Sequence, residues 1–300
     1  MTTNSIEIKN VSKKYKDFYA VKEASLSIEQ GKIYGLVGKN GAGKTTLFKL
    51  ILGLSNQSEG AISINGSTTK QELLNERAHI GFYIGPNFYD YLNAEQNLEY
   101  YRKLKGISDK GEIDRVLKIA GLYGEKKKYK AFSMGMKQRL GIANALLGDP
   151  DIIILDEPIN GLDPQGILEI RNLLKSLNTE HNKTLIVSSH ILSELDLVAH
   201  TFGIIDHGVF LKQLNKNEFS QNEQAVLKIS TSNNALALEI LEKNYAIKTA
   251  TLDDQYFLAS QERLSSEMLS SLLFQGIELN EIVKQSKSLE DYYFELTGGQ

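Results

Sequence analysis

The chain has 300 residues and no cysteine. Disulfide frameworks, thiolate metal sites and cysteine nucleophiles are thereby excluded, and the composition fits a reducing compartment. No apolar run comes near the roughly 20 residues that a membrane-spanning helix needs, and Met1 to Glu7 is polar and alternating rather than an apolar leader. Any membrane role is therefore expected through a partner. Positive charge is not in excess either: the net charge is −3, with residues 1–215 at +3 and 216–300 at −6. A nucleic-acid-binding face gains no support from that balance. There is no internal repeat and no low-complexity segment, and the length allows one large domain or two ordinary ones.

What is present starts with Gly38-Lys39-Asn40-Gly41-Ala42-Gly43-Lys44-Thr45, which fits G-x-x-x-x-G-K-[ST]. Ile33 to Val37 reads as the strand that feeds it, and Thr46 to Leu54 as the helix that follows. In such a loop glycines let successive backbone N–H groups turn inward around a polyphosphate, and the helix beginning near Lys44 points its N-terminus at it. Lys44 is expected to reach the β- and γ-phosphates, and the Thr45 hydroxyl to ligate Mg²⁺. The loop needs a carboxylate at the end of a neighbouring strand. Asp156-Glu157, directly after Ile152-Ile153-Ile154-Leu155, supplies it: Asp156 to hold the metal through its hydration shell, Glu157 to take a proton from attacking water. His190 follows the run Thr184 to Ser188 and is a candidate γ-phosphate contact. Asp163-Pro164-Gln165-Gly166 fits the D-x-x-G of a GTPase switch. Guanine recognition also needs Asn-Lys-x-Asp, however, and Asn182-Lys183-Thr184-Leu185 lacks the aspartate.

Ile6 to Val11 and Ala24 to Glu29 alternate as half-buried strands, so an antiparallel β layer is expected ahead of the phosphate loop. The runs at 152–155 and 184–188, each followed by a helical pattern, read as buried parallel strands of an α/β sheet. Gly166 to His181 carries a helical stripe at Ile167, Ile170, Leu174 and Leu177. Residues 94–148 read as a helical insertion. The polar passage Asn215 to Glu223 reads as a linker or short surface helix. After it a small α+β unit is expected: strands at 225–231, 255–259 and 277–283, helices at 233–243, 264–274 and 289–296.

Between the loop and Asp156 lies Phe132-Ser133-Met134-Gly135-Met136-Lys137-Gln138-Arg139, which resembles the signature motif of ATP-binding-cassette (ABC) ATPases. The order of motifs over residues 5 to about 214 is similar to that family, with 38–45 as Walker A, 152–156 as Walker B, Asn160-Gly161-Leu162-Asp163 as the D-loop and His190 as the switch histidine. The resemblance implies a P-loop NTPase fold with a RecA-like parallel core, an antiparallel β layer, a helical subdomain at about 94–148 and a C-terminal accessory domain over 224–300. It implies ATP and Mg²⁺ as ligands, with nucleotide contacts from Gly38 to Thr46, Tyr15 as the adenine-stacking aromatic, and Ser133, Gly135 and Asp163 acting in a dimer. There two cassettes face head to tail, and Ser133 and Gly135 of one touch the γ-phosphate held by Lys44 of the other. One cassette is present here, so a homodimer or a paired second cassette is required. Two-cassette translation factors and coiled-coil-interrupted DNA-repair ATPases are disfavoured.

Within the family the signature variant, the segment Phe88 to Leu98 and the tail Ser288 to Gly299 resemble transporter subunits of the bacitracin and lantibiotic resistance type. This implies an ATP-hydrolysing subunit, peripheral on the cytoplasmic face of the membrane, that drives a separate multi-span permease exporting antimicrobial peptides or other drugs, with no nucleic acid involved. A soluble regulatory or nucleic-acid-associated ATPase, and an ATP-binding interaction module with weak hydrolysis, are the alternatives. Two departures bear on this. Ile80 to Pro86 holds no glutamine where most cassettes carry the Q-loop glutamine, and Gln96 lies too far along to replace it; Met134 and Met136 stand where small or amide residues are usual. Lys126-Lys127-Lys128-Tyr129-Lys130 reads as a solvated loop, with anionic headgroups as the alternative contact.

Overall fold

A computed structural model describes residues 3–85, 88–216, 226–251, 255–259, 264–285 and 289–297. Contacts divide the chain into two units, Met1–Lys216 and Asn217–Gln300. The expected linker at 216–223 lies, apart from Lys216, outside the described residues, as do Gln224 and Ala225.

The first unit is built on a nine-stranded sheet: β1 (Asn4–Tyr15), β2 (Phe18–Glu29), β3 (Ile33–Val37), β4 (Glu59–Ile64), β5 (Ile80–Tyr83), β6 (Ile152–Leu155), β7 (Thr184–Ser189), β8 (Thr201–Asp206) and β9 (Val209–Asn215), in the order β4-β1-β2-β9-β8-β3-β7-β6-β5. From β8 to β5 the neighbours are parallel, while β1 pairs antiparallel with β2 and β4. Every residue of β3, β6 and β7 is buried. That is why each holds an unbroken apolar stretch rather than an alternating one, in β7 Leu185–Val187 between buried Thr184 and Ser188: parallel strands covered on both faces have no solvent side. Their C-terminal ends lie side by side, with Val37 opposite Ser189 and Leu155 opposite Val187.

The β layer is longer than its alternation suggests. β1 and β2 each run for 12 residues. Asn10 (φ 49°) and Glu23 (φ 49°) occupy the left-handed region next to breaks in register, and these irregularities flip the alternation. Ile6, Ile8, Val11, Ile28, Ile62 and Ile64 from this layer share a buried core with Leu47, Phe48 and Ile51 of α1 (Lys44–Ile51) and with Ile154 and Ile186 of the parallel strands. Five elements of this unit had no reading in the sequence. One is α2 (Lys70–Ala78), an almost wholly exposed helix started by a Thr69–Glu72 capping box; the others are β4, β5 and the two strands of the β8–β9 hairpin, which turns at His207-Gly208.

Residues 94–148 are helical, with α3 (Ala94–Leu104), α4 (Gly111–Ile119), a 3₁₀ turn at Tyr129–Ala131 and α5 (Met134–Leu146). Gln96 is the far member of the capping box that starts α3: its Oε1 accepts from the Asn93 N–H at 3.1 Å. α6 (Pro164–Thr179) begins two residues before the expected stripe, with Pro164 in its first turn, and α7 (Leu192–Asp196) follows His190.

The second unit is an antiparallel sheet of β10 (Val226–Thr231), β11 (Thr249–Thr251), β12 (Phe257–Ala259) and β13 (Leu279–Gln285), in the order β11-β12-β10-β13. Helices Asn234–Tyr245 and Ser266–Phe274 connect β10 to β11 and β12 to β13, which makes the β-α-β-β-α-β alternation of a split βαβ unit. Leu227, Ile229 and Phe257 meet Ala237, Leu241 and Leu272 in its core. The three-residue β11 was absent from the sequence reading, and Leu289–Thr297 closes the chain as a helix.

β5 is clamped to α5 at Gly81, where a Cβ would overlap the Ala145 carbonyl oxygen and the Pro150 ring. Overpacking against backbone costs about 1–3 kcal/mol. Gly81→Ala is therefore expected to lower the thermal unfolding midpoint by about 2–12 °C in a calorimetric scan.

Candidate active site

The loop after β3 closes over its own lysine. Lys44 begins α1 and is 5% exposed. Its Nζ donates to the Gly38 carbonyl and, at 3.2 Å, to the Lys39 carbonyl, and it pairs with Glu157 Oε1 at 3.0 Å. Two glycines are sterically required. At Gly38 a Cβ would overlap the Ile205 carbonyl oxygen, and Gly43 sits at φ 107° with the Ala20 carbonyl oxygen 2.5 Å from where a Cβ would be. The β8–β9 turn supports the loop from behind: the Gly208 N–H donates to the Ala42 carbonyl at 2.9 Å, and the Gly208 carbonyl accepts from the Lys22 N–H at 2.7 Å. This support went unread in the sequence, although His207-Gly208 between two apolar runs is a hairpin signal.

The strand ends bring the remaining groups together. Thr45 Oγ1 donates to Asp156 Oδ2 at 2.6 Å, and Ser188 Oγ donates to Asp156 Oδ1 at 2.6 Å. The Asp156 N–H is held by the Tyr83 carbonyl at 3.0 Å. Glu157 has φ 52°, a conformation that costs a residue with a Cβ about 1–2 kcal/mol. Its N–H donates to Ser188 Oγ at 2.8 Å, and its second carboxylate oxygen lies 2.8 Å from His190 Nδ1. His190 thus contacts the carboxylate of Glu157. Burial pushes the phenol of Tyr83, at the end of β5, well above its ordinary range, so that ring stays neutral beside the site.

A cavity of about 210 Å³ opens over this cluster, lined by Lys39 to Thr46, by Glu157, and by Ala20 and Phe18. Tyr15 ends β1 half-exposed, with the Lys13 ammonium 4.8 Å from its ring centre, and it pairs in register with Phe18. Of these two aromatics Phe18 lines the cavity, and the sequence reading passed over it.

Ser133, Gly135 and Asp163 are not among the cavity's lining residues. Ser133 is the N-cap of α5, with Oγ accepting from the Met136 N–H at 3.3 Å. Asp163 is the N-cap of α6, with Oδ1 accepting from the Gly166 N–H at 3.0 Å. The two helix starts are neighbours: a Cβ on Gly135 would lie 4.0 Å from both Leu162 and Gly166.

Among the described residues no cluster of three or more His, Cys, Asp or Glu could hold a metal by itself. The hydroxyl of Thr45 and the carboxylate of Asp156 are nevertheless hard oxygen donors held together. That fits an ion such as Mg²⁺, which keeps waters and takes the rest of its shell from substrate phosphates.

Comparison with known proteins follows the same lines. Residues 21–160 match the ABC transporter family. The chain is 36% identical over 297 residues to a bacitracin transport ATP-binding protein of Enterococcus faecalis, covering 98% of this chain and 96% of that one. It is 38% identical over 204 residues to a lantibiotic transport ATP-binding protein of Streptococcus pyogenes, covering 68% and 87%. Among solved structures, a dimeric ATP-binding cassette in a post-hydrolysis state, bound to ADP and Pi, superposes with a TM-score of 0.63 at 29% identity, over 70% of this chain and 98% of that one.

Gly208 (φ 80°) has the Tyr19 carbonyl oxygen 2.8 Å from where a Cβ would lie. Gly208→Ala is expected to lower the unfolding midpoint by about 2–8 °C and to weaken nucleotide binding in calorimetric titration. Unchanged affinity would separate the hairpin from the loop.

Proposed function

Because the chain belongs to the ATP-binding subunits of ABC transporters, we propose that it binds and hydrolyses ATP to drive a separate multi-span permease in the export of peptide antibiotics. The observation that carries this reading is the joining of Lys44, Thr45, Asp156, Glu157 and His190 by an ion pair and hydrogen bonds at adjacent strand ends, with Ser188 linking Asp156 to Glu157. The relatives named for bacitracin and lantibiotic transport support the class of cargo. No helix among the described residues is long and apolar enough to cross a membrane, so attachment to the inner membrane face falls to the permease.

Binding is an exchange of partners. Phosphate oxygens replace the Gly38 and Lys39 carbonyls and Glu157 at the Lys44 ammonium, while the loop N–H groups and the α1 N-terminus face the same charge. Mg²⁺, when bound, neutralises phosphate charge, and Thr45 and Asp156 are the residues that would hold it. Glu157, released from Lys44 and still held by His190, accepts a proton from water. Phe18 and Tyr15 form the rim against which an adenine stacks. Ser133 and Gly135 act on the nucleotide of a second cassette.

The helical insertion and the loop leading into it carry the surface turned to the permease. Tyr89 and Tyr91 in that loop and Tyr100 in α3 are exposed, with the Tyr89 ring tilted against Tyr91 and edge-on to Tyr100. The basic loop is fastened beside them, with the Tyr129 N–H on the Leu92 carbonyl at 2.8 Å and the Lys130 N–H on the Asp90 carbonyl at 3.1 Å. The split βαβ unit is an accessory domain.

Lys44→Ala is expected to abolish ATP binding. Glu157→Gln should keep binding, lose about 10²–10⁴-fold in turnover, and accumulate dimer with ATP in size-exclusion chromatography. Unchanged phosphate release in both variants would refute the assignment. Binding without turnover in the wild type would leave an ATP-dependent interaction module. Co-purification with a co-expressed permease tests the partner.

A further inference from the structure

One hydroxyl stands between the two carboxylate-bearing residues of the site. Ser188, in β7, has no exposed surface. Its Oγ is 2.6 Å from Asp156 Oδ1 and 2.8 Å from the Glu157 amide nitrogen. A carboxylate accepts and an amide donates, so the single hydroxyl proton goes to Asp156 and a lone pair takes the Glu157 N–H. Ser188 therefore fixes the rotation of the Asp156 carboxylate, whose other oxygen receives the Thr45 hydroxyl at 2.6 Å. It also ties down the backbone of Glu157 in its left-handed turn, from which the side chain spans Lys44 and His190. Ser189 next to it does something else: its Oγ accepts from the Ile191 N–H at 2.9 Å at the start of the turn into α7.

We propose that Ser188 is a positioning residue of the ATPase reaction, holding the metal carboxylate and the base carboxylate in register through one hydroxyl. The proposal rests on the function proposed above. It makes a separable prediction, because the Ser188 hydroxyl is spent on Asp156 and Glu157, the two carboxylate-bearing residues that depend on it. Loss of the hydroxyl frees Asp156 Oδ1 to turn and leaves the Glu157 N–H without its acceptor. Metal affinity and turnover then fall while metal-free nucleotide binding stands.

The experiment compares full-length wild type, Ser188→Ala and Ser188→Thr. Mn²⁺ is titrated by electron paramagnetic resonance in the presence of a non-hydrolysable ATP analogue. A fluorescent nucleotide is titrated in EDTA, and kcat and KM are measured with Mg²⁺. Partners that orient metal ligands are worth about 10–100-fold. Ser188→Ala is expected to lose that much in Mn²⁺ affinity and in kcat, with EDTA-state nucleotide affinity within about threefold of wild type, and Ser188→Thr to recover both. Mn²⁺ affinity within twofold of wild type overturns the proposal. So does a parallel loss of nucleotide affinity and thermal stability, which would mark a merely structural serine. Should the alanine variant aggregate, Ser188→Cys, which keeps the volume and weakens the donor, is measured in its place by the same criteria. A wild type that binds but does not hydrolyse would refute the ATPase reading, and the Mn²⁺ titration would still decide whether Ser188 orients Asp156.

Discussion

Lys44 carries a full positive charge at 5% exposure, and the surrounding architecture is the answer to that burial. An ammonium taken out of water without partners costs several kcal/mol. Here it finds the carbonyls of Gly38 and Lys39 and the carboxylate of Glu157. Each partner imposes a further demand. The Gly38 carbonyl turns inward only where the residue has no Cβ, because β8 presses on it through Ile205. Glu157 reaches Lys44 only from a left-handed turn at the end of β6, with β7 between β6 and β3. Loop, hairpin and strand ends are thus fixed by one cation. On the proposed reading, an incoming polyphosphate would take the place of Glu157 at Lys44 and so free the carboxylate proposed as the base.

The chemistry of the site was legible because it allows few residue types at few spacings. Gly38 to Thr45, Asp156, Glu157 and His190 converge as their motifs imply, since each follows a strand and the strands are parallel neighbours. Ser188 stayed invisible for the opposite reason. A serine in a buried strand is chemically ordinary until the fold sets it beside two carboxylates that lie more than thirty positions earlier in the chain. Phe18 was hidden similarly: only the tight β1–β2 connection sets it opposite Tyr15 at the cavity edge.

Local irregularity breaks the sequence pattern of several elements. The bulges beside Asn10 and Glu23 shift the register of β1 and β2, so alternation identifies half of each strand and misses the rest. α2 buries little besides Leu73 and has no stripe to detect, although its Thr69–Glu72 capping box is a signal in its own right. β11 has three residues, too few for any period. The fastening of Lys128 to Asn93 joins segments 35 positions apart, and no window on the sequence connects them.

Capping chemistry separates the two helix starts near the signature segment. Ser133 Oγ spends a lone pair on the Met136 N–H and keeps its hydroxyl proton, which remains available to an anion. The Asp163 carboxylate has no proton to give and is engaged on the Gly166 N–H; facing a phosphate it would add like charge. On the proposed reading the α5 start is therefore the one suited to a nucleotide held by a second cassette, while Asp163 caps the α6 start that lies beside it. Met134 fits the same division. It is 51% exposed, and its terminal methyl lies 3.9 Å from where a Cβ on Gly161 would be. The methionine thus packs along the turn leading to Asp163. Bulk at this position is tolerable because it extends sideways, toward the turn before the neighbouring helix start.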